Sequence, residues 1–372
     1  QSMSGVMGGG YVNWNAIPLG MVERIEIIKG AKSAAYGQSE GGVINIITKK
    51  SADAGELQLT TGNNDRRQYI FNYGVQTDKL GFRVYANKSE QDAYLRNSDY
   101  DNEQTGINLN YKLSQTDSLR FNYDHQQLKR GLVIANNTSN FDSRYPISSG
   151  DTFANSNAAP EDGSYTKIYR NNFNVTYNSD RENGGDTLTY WKNYEKQREH
   201  NVNAGKVMFD RYNVTDKSSG VMYKGNAKVN AKHHLGYGVD YKRLRYGYGW
   251  YNSNATVISN GETKPAGGAL YPSQKLDVWG AYIEDNWQIN DRWLTNIGLR
   301  YDKMKGDRDA AQATNIGSMN ESALSPKLNV HFKNDERTTT SLGINRIWRA
   351  PSMAEFYWHF SADAFARSAN LN

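Results

Sequence analysis

The stretch WGAYIEDNWQINDRWLTNIGLRYD occupies positions 279–302 and decides the fold. In its first half Trp279, Ala281, Ile283, Trp287 and Ile289 line up on one side of an extended chain, against Tyr282, Glu284, Asn286 and Gln288. After the turn INDR (289–292), Trp293, Ile297, Leu299 and Tyr301 again oppose Asn296, Arg300 and Asp302. A period of two marks a strand with unlike faces. The inner face of a soluble sandwich would be apolar; here one face is apolar and aromatic while the other carries full charges. Such a sheet is wet on one side in solution, or it has lipid outside and a hydrated or plugged interior.

The same alternation runs through positions 56–348. It predicts thirteen strands, near 56–62, 66–77, 80–89, 103–113, 116–129, 164–178, 186–198, 217–229, 233–246, 274–289, 292–305, 321–333 and 337–347. Their connections separate the two readings. Short polar turns at 77–79, 114–118, 179–186, 230–232, 289–292 and 333–337 alternate with longer segments at 90–102, 130–163, 199–216, 247–273 and 306–320. Only the first hairpin, turning at GNND (62–65), has a short outer connection. A Greek-key sandwich has no reason to sort loop lengths by end, whereas an up-and-down membrane barrel does so.

Composition agrees. Among 372 residues there is no cysteine, which excludes a disulfide framework and thiolate metal sites. The net charge of +5 is spread among interspersed acids and bases without a basic stripe, so no nucleic-acid partner is expected. A mean hydropathy of −0.81 and the lack of an apolar run of about 18 residues argue against a spanning helix. They do not argue against a barrel, whose strands need apolar residues only at alternate positions. The 26 tyrosines and 8 tryptophans suit aromatic girdles at two interfaces.

The N-terminus reads differently. In ERIEIIKGAKSAAYGQSEGGVINIITKK (23–50), Ile25, Ile27 and Ile28, then Val43, Ile44, Ile46 and Ile47, form short apolar runs suited to strands of a small α/β unit. Between them AKSAAYG reads as a helical turn, with Gly37 placed for a left-handed cap. Neither a phosphate loop nor a dinucleotide fingerprint is present.

The stretch IPLGMVERIEIIKGAKSAAYGQSEGGVINIITKK (17–50) closely resembles the end of the plug domain of TonB-dependent outer-membrane receptors, with Lys29 where Arg is common and Ala31 where Pro is frequent. Positions 279–302 and SPKLNVHF with GINRIWRAPSMAEFY (325–357) resemble barrel signatures of the same family. The resemblance implies an all-β antiparallel barrel of about 22 strands with a partial α/β plug in its lumen. Residues 1–50 would be the end of the plug, and 51–372 the first thirteen strands with the start of the next outer loop. The expectation is a fragment, with export signal, most of the plug and about nine strands lying elsewhere.

The resemblance further implies a non-enzymatic transporter in the outer membrane of a Gram-negative bacterium. It would import a bulky iron–siderophore complex, with haem or cobalamin as alternative cargo and no intrinsic cofactor or metal. Implied partners are the periplasmic energy-coupling TonB protein, outer-membrane lipid with lipopolysaccharide, and a phage or bacteriocin docking on the loops. From another class, a passive porin or an outer-membrane hydrolase would share the barrel; the porin would lack a plug signature, and no spacing singles out a nucleophile beside His125 or His331.

Candidate residues fall into two groups. A plug that must release under force is better held by hydrated polar contacts than by a dry interface, so Glu23, Arg24, Glu26 and Lys29 are expected to pair with Glu284 and Arg300 on the barrel. Rigid scaffolds display binding residues on loops. Phe141, Arg144 and Tyr145, with Tyr248, Trp250, Tyr251 and Tyr271, offer stacking and charge to an anionic, aromatic iron chelate; the alternative is that several belong to the outer girdle. His359 lies after an Arg349-Ala350-Pro351 motif like that of haem receptors, although SANLN (368–372) only partly matches their later box. Adjacent His233 and His234 point to opposite strand faces, which is poor geometry for joint chelation.

Overall fold

The computed structural model describes residues 17, 19–29, 33–35, 37, 42–49, 53–139, 141–149, 161–203, 206–247, 250–253, 257–259, 262–264, 269–270, 274–308 and 319–349. A 3-10 turn (Leu19–Met21) leads into an antiparallel hairpin of β1 (Val22–Lys29) and β2 (Gly42–Thr48). Thirteen strands then pair in one antiparallel sheet, each neighbour in sequence also its neighbour in space. They are β3 (Ala54–Gly62), β4 (Arg66–Gln76), β5 (Leu80–Gln91), β6 (Tyr100–Lys112), β7 (Asp117–Gly131), β8 (Tyr165–Arg181), β9 (Gly184–Asn203), β10 (Lys206–Lys228) and β11 (His233–Gly247). After four short strands come β16 (Gln274–Gln288), β17 (Trp293–Arg308), β18 (Met319–Lys333) and β19 (Thr339–Asn345). The short ones are β12 (Trp250–Ser253), β13 (Val257–Ser259), β14 (Glu262–Lys264) and β15 (Ala269–Leu270).

All thirteen alternating stretches are therefore strands. The first hairpin closes through Asn64 and Asp65 at φ 56° and 51°, a left-handed conformation that Asn and Asp tolerate. Two expected loops turn out differently. Most of 199–216 is strand, because β9 and β10 continue pairing to Asn203 and Lys206. Within 247–273, β12 folds back against Phe209–Tyr212 of the tall β10.

The two faces of the sheet are inverted relative to a soluble protein. Along β17, Arg300 and Asp302 are 3% and 2% exposed, while the intervening Leu299 and Tyr301 are 41% and 45% exposed. Leu57, Leu59, Phe71, Leu188, Trp279, Ile283, Leu324, Leu342 and Ile344 continue the exposed apolar face, and Asn72, Gln104, Gln126, Glu195, Lys327 and Asn329 the buried polar one. In water an outward band of this kind would forgo about 1.5–3 kcal/mol for each large side chain left uncovered. Against hydrocarbon it is the stable arrangement, since strand pairing satisfies the backbone and the polar face turns inward. No helix among the described residues is long and apolar enough to cross a membrane, which says nothing against crossing by strands.

The N-terminal segment lies on the polar face. A Cβ on Gly20 would sit 2.6 Å from Ile70 Cγ2 of β4, and Met21 and Ile70 are both buried. A few residues later Ser33 and Ala34 touch β16 and β18. Those contacts lie eight and ten strand spacings from β4 in sheet order, roughly 38 and 48 Å across a flat sheet. The sheet curls around the segment and brings both onto it.

Candidate functional site

The contact between the N-terminal segment and the sheet wall is built from short side chains. Small residues in Ser33-Ala34-Ala35 let the backbone come close: Ala34 is fully buried, and a Cβ on the opposing Gly298 would lie 3.1 Å from its methyl. Glu284, on the inward side of β16, accepts hydrogen bonds from Ser33 Oγ at 2.9 and 3.1 Å and from the Ala34 amide at 2.9 Å. Ser33 Oγ in turn accepts from the Ala35 amide at 3.1 Å. From β18, Lys327 Nζ donates to the Ser33 carbonyl at 2.5 Å. One serine is thus held between a carboxylate and an ammonium on neighbouring parts of the wall.

Beside this contact Arg300 fixes the wall itself. Its guanidinium donates to Asp302 at 2.8–3.0 Å and to Asp240 at 2.8 Å, and it is almost wholly buried. The segment abuts it, since a Cβ on Gly37 would fall 2.4 Å from Arg300 Nε. Gly37 is needed for this close approach. The sequence-based expectation of a left-handed cap is corrected, because Gly37 is not among the positive-φ glycines, which in the described residues are Gly42, Gly163 and Gly184.

Glu284 and Arg300 therefore lie at the segment–wall contact, but Glu23, Arg24 and Glu26, expected to pair with them, are engaged with one another. Arg24 pairs with Glu23 at 3.2 Å and with Glu26 at 2.9 Å, all three substantially exposed on β1. Arg24, helped by Asn45, holds the Glu26 carboxyl below the usual carboxylate range. Their alternation on one short hairpin puts these charges within reach of one another, which pre-empts the wall. Lys29 belongs to β1, but its side chain lies outside the described residues. Ser33 and Ala34 escape a reading by charge because a hydroxyl and a backbone amide carry none, and Lys327 because its acceptor is a backbone carbonyl; the run of small residues in AKSAAYG is the available signal.

The β7–β8 loop is organised by Asn136, which is 0% exposed. Its Nδ2 is shared among the carbonyls of Asp142, Tyr145 and Pro146 at 3.1, 2.8 and 3.1 Å, and its Oδ1 accepts from the Asp142 amide at 2.7 Å. Its backbone bridges Ser148 in both directions. Asn97 ties the neighbouring loop to this one by donating to the Leu132 and Ser164 carbonyls at 2.8 and 2.7 Å. On this knot Phe141 is 61% and Ile147 77% exposed. Arg144 lies over the Tyr145 ring at 5.5 Å. It also grips Asp142 with two nitrogens, at 3.0 and 2.7 Å, and so drives that carboxyl down to about 2. Its charge is locally compensated, in contrast with the open cation expected for an anionic chelate.

The remaining expected loop residues are not brought together here. Trp250 and Tyr251 lie on β12 opposite Tyr212 and Arg211, with side chains outside the described residues. Tyr248, Tyr271 and His359 lie wholly outside them. His233 Nδ1 donates to the Asp285 carboxylate at 2.6 Å and its ring stacks on Trp287 at the turn end of the sheet.

Comparison with known proteins places this geometry. Residues 51–372 match the family model "TonB dependent receptor-like, beta-barrel", and residues 2–44 match "TonB-dependent Receptor Plug Domain". The chain is 28% identical to the ferric enterobactin receptor of Pseudomonas aeruginosa over 92% of its own length and 48% of that protein's. It is 29% identical to the iron-regulated outer membrane virulence protein of Vibrio cholerae, over 91% and 46%. Among solved structures, the closed form of the ferric-catecholate import receptor Fiu from E. coli superposes with a TM-score of 0.70 at 14% identity, covering 94% of this chain and 58% of Fiu. The chain spans about half the length of the curated relatives it matches.

Proposed function

The chain belongs to the TonB-dependent receptors, and from that premise we propose that it forms the end of the plug and thirteen wall strands of an importer for a bulky ferric siderophore. The observation that carries this reading is the inverted sheet whose polar face holds the N-terminal segment through Ser33, Ala34, Glu284 and Lys327. An open porin has no use for such a stopper. Among the described residues β3 and β19 are each paired on one side, and the proposed wall needs further strands to close, because unpaired backbone is not tolerated against hydrocarbon.

In the proposed cycle the outer loops capture the chelate and a periplasmic partner pulls on the plug. The contacts at Ser33 then exchange for water one by one, so that a path opens without unfolding the barrel. Siderophore is favoured as cargo by relatives named as ferric enterobactin and ferrioxamine receptors. Outer-leaflet glycolipid around the barrel, and a phage or bacteriocin on the loops, complete the set of proposed partners.

A deletion strain complemented with the full-length gene and grown on single iron sources tests the cargo. Growth on a ferric siderophore, lost without the energy-coupling protein, is the expected result. Growth on haemin alone would assign haem instead and bring His359 forward. Equal growth with and without the coupling protein, together with vesicle swelling in small sugars, would refute active import in favour of a passive pore.

A further inference from the structure

The inward face of β6–β9 lies away from the Ser33 contact and is lined with amides. Asn108, Asn122 and Asn174 stand in register on three neighbouring strands, and Asn122 Nδ2 donates to Asn174 Oδ1 at 2.7 Å. One row nearer the loops Asn172 donates to Asp124 at 2.6 Å, and beyond it Arg170 grips Glu195 with two nitrogens. Two side chains depart from this pattern. Arg120 shares the inward side of β7 with Asn122 and the buried Gln126, near the turn end; it is exposed and has no carboxylate or hydrogen-bond partner among the described residues. Trp191 is the other. Trp279 and Trp293 are exposed on the outward, apolar face, whereas Trp191 shares the inward face of β9 with the buried Glu195 and Gln197, in register with Asn174 on one side and Gly220 on the other. Gly220 makes room for the indole, since a Cβ there would meet its Cε2, Cζ2 and Nε1 at 2.7 Å. One side of the ring covers Gly220, and the other turns away from the wall.

We propose that Arg120 and Trp191, with the amides between them, form a way station on the inner wall, where an anionic, aromatic iron chelate rests after leaving the outer loops. Arg120 is in register with Thr176, and Thr176 with Thr189, which precedes Trp191 by two positions on β9. Two strand spacings across and two residues along put the Cα atoms of Arg120 and Trp191 about 12 Å apart, so one bulky chelate can touch both. The indole takes an aromatic ring by stacking, and the guanidinium takes anionic oxygens through charge-assisted hydrogen bonds. Asn122 and Asn174 both give and accept hydrogen bonds, and they carry no charge that would repel or trap the cargo.

Placement of the two groups fits passage rather than capture. On the outer loop Arg144 is already engaged by Asp142, whereas Arg120, toward the opposite end of the strands, is open to an incoming anion. Water at the turn end keeps the attraction of an exposed cation weak, so the chelate is drawn there and let go. An indole on a wetted polar wall leaves apolar surface uncovered, an arrangement that costs free energy until another ring lies on it.

The proposal rests on the reading of the chain as part of a ferric-siderophore importer. The full-length receptor is expressed in a deletion strain and given ferric enterobactin, the chelate named for a relative. Arg120→Gln/Trp191→Leu is expected to bind it at the cell surface with a Kd within about twofold of wild type and to import it at least about fivefold more slowly. Arg120→Lys/Trp191→Phe, which keeps a charge and a ring, is expected to import within about twofold of wild type. Wild-type import by the first variant, or equal slowing in the conservative one, overturns the station; so does a proportional loss of surface binding, which would place these residues in capture. A cross-linking arm separates cargo from packing of the plug. With Thr176→p-benzoylphenylalanine and ferric enterobactin tritiated in its organic part, illumination during energised uptake is expected to attach tritium to the receptor, and to attach none in cells lacking the coupling protein. Cross-links to the receptor's own N-terminal part alone would assign this wall to the plug and overturn the station. A wild type that imports no ferric enterobactin takes down the cargo and the station with it; a wild type that imports it while failing these comparisons sinks the station alone.

Discussion

Replacing Glu284 with Ala removes the acceptor for two donors at once, the Ser33 hydroxyl and the Ala34 amide. A hydrogen bond to a charged group contributes about 1.5–3 kcal/mol. Two such bonds at a half-buried site, where water recovers part of the loss, give a weakening of about 2 kcal/mol. At 1.36 kcal/mol per decade this raises the population with the 33–37 turn detached about 30-fold. The Ala34 amide reports the event directly, because its only described acceptor is Glu284; hydrogen exchange at that amide should accelerate about 30-fold while the β16 and β17 amides keep their protection. Ser33→Ala alone should accelerate it by about tenfold, and the double variant should show coupling of about 1 kcal/mol or more. Additive effects within about 0.3–0.5 kcal/mol, or uniform loss of protection across the barrel, would refute the argument that Glu284 holds the segment through these two bonds.

Three further outcomes are expected. Leu299→Arg, at mid-height on the outward face, should destabilise the barrel in bilayer vesicles by about 2–4 kcal/mol in a urea titration, whereas a water-facing leucine would change stability by no more than about 0.5 kcal/mol. Asn136→Ala leaves three loop carbonyls and the Asp142 amide without this partner, so the 134–148 loop should lose about 2–3 kcal/mol of local stability, read as faster proteolysis there with an unchanged barrel melting temperature. Asp142, held at about 2 in the folded loop, contributes stability above its ordinary value near 4 that is lost as pH falls through about 2. Protease resistance of that loop should be flat from pH 8 to about 4.5 and decline below; Arg144→Gln should lower the resistance above pH 4.5 and flatten the decline, and an unchanged decline would show that Arg144 does not set it.

The fold was legible because hydrocarbon on one side and water on the other impose a two-residue period that few other environments produce. Trp293, Ile297, Leu299 and Tyr301 carry that signal unaided. It fails at the top of β9 and β10, past Arg198, where an outward residue such as His200 is itself polar. Backbone pairing continues there while the contrast between faces disappears, so strand reads as loop. Glu284 and Arg300 could be picked out as charges on an inward face, but their partners could not. Ser33 acts through a hydroxyl and a carbonyl, and Ala34 through its amide. Arg144 shows the opposite case: its charge is conspicuous in sequence, while its pairing with Asp142, two residues earlier, is seen only in the structure.

The neutrality of the donors facing Glu284 has a consequence for the conditions in which the protein works. A stopper held by opposed charges would slacken in brine and tighten in fresh water, since counterions shield such attraction over about 10 Å at 0.1 M salt. Here the carboxylate meets an alcohol and a peptide nitrogen at bonding distance, an embrace that dissolved ions scarcely weaken. The contact at Ser33 is therefore expected to keep its strength between dilute and salty surroundings, whereas the partly exposed Lys49–Glu56 ion pair at 2.7 Å, which ties the end of the segment to β3, is the part that salt would loosen.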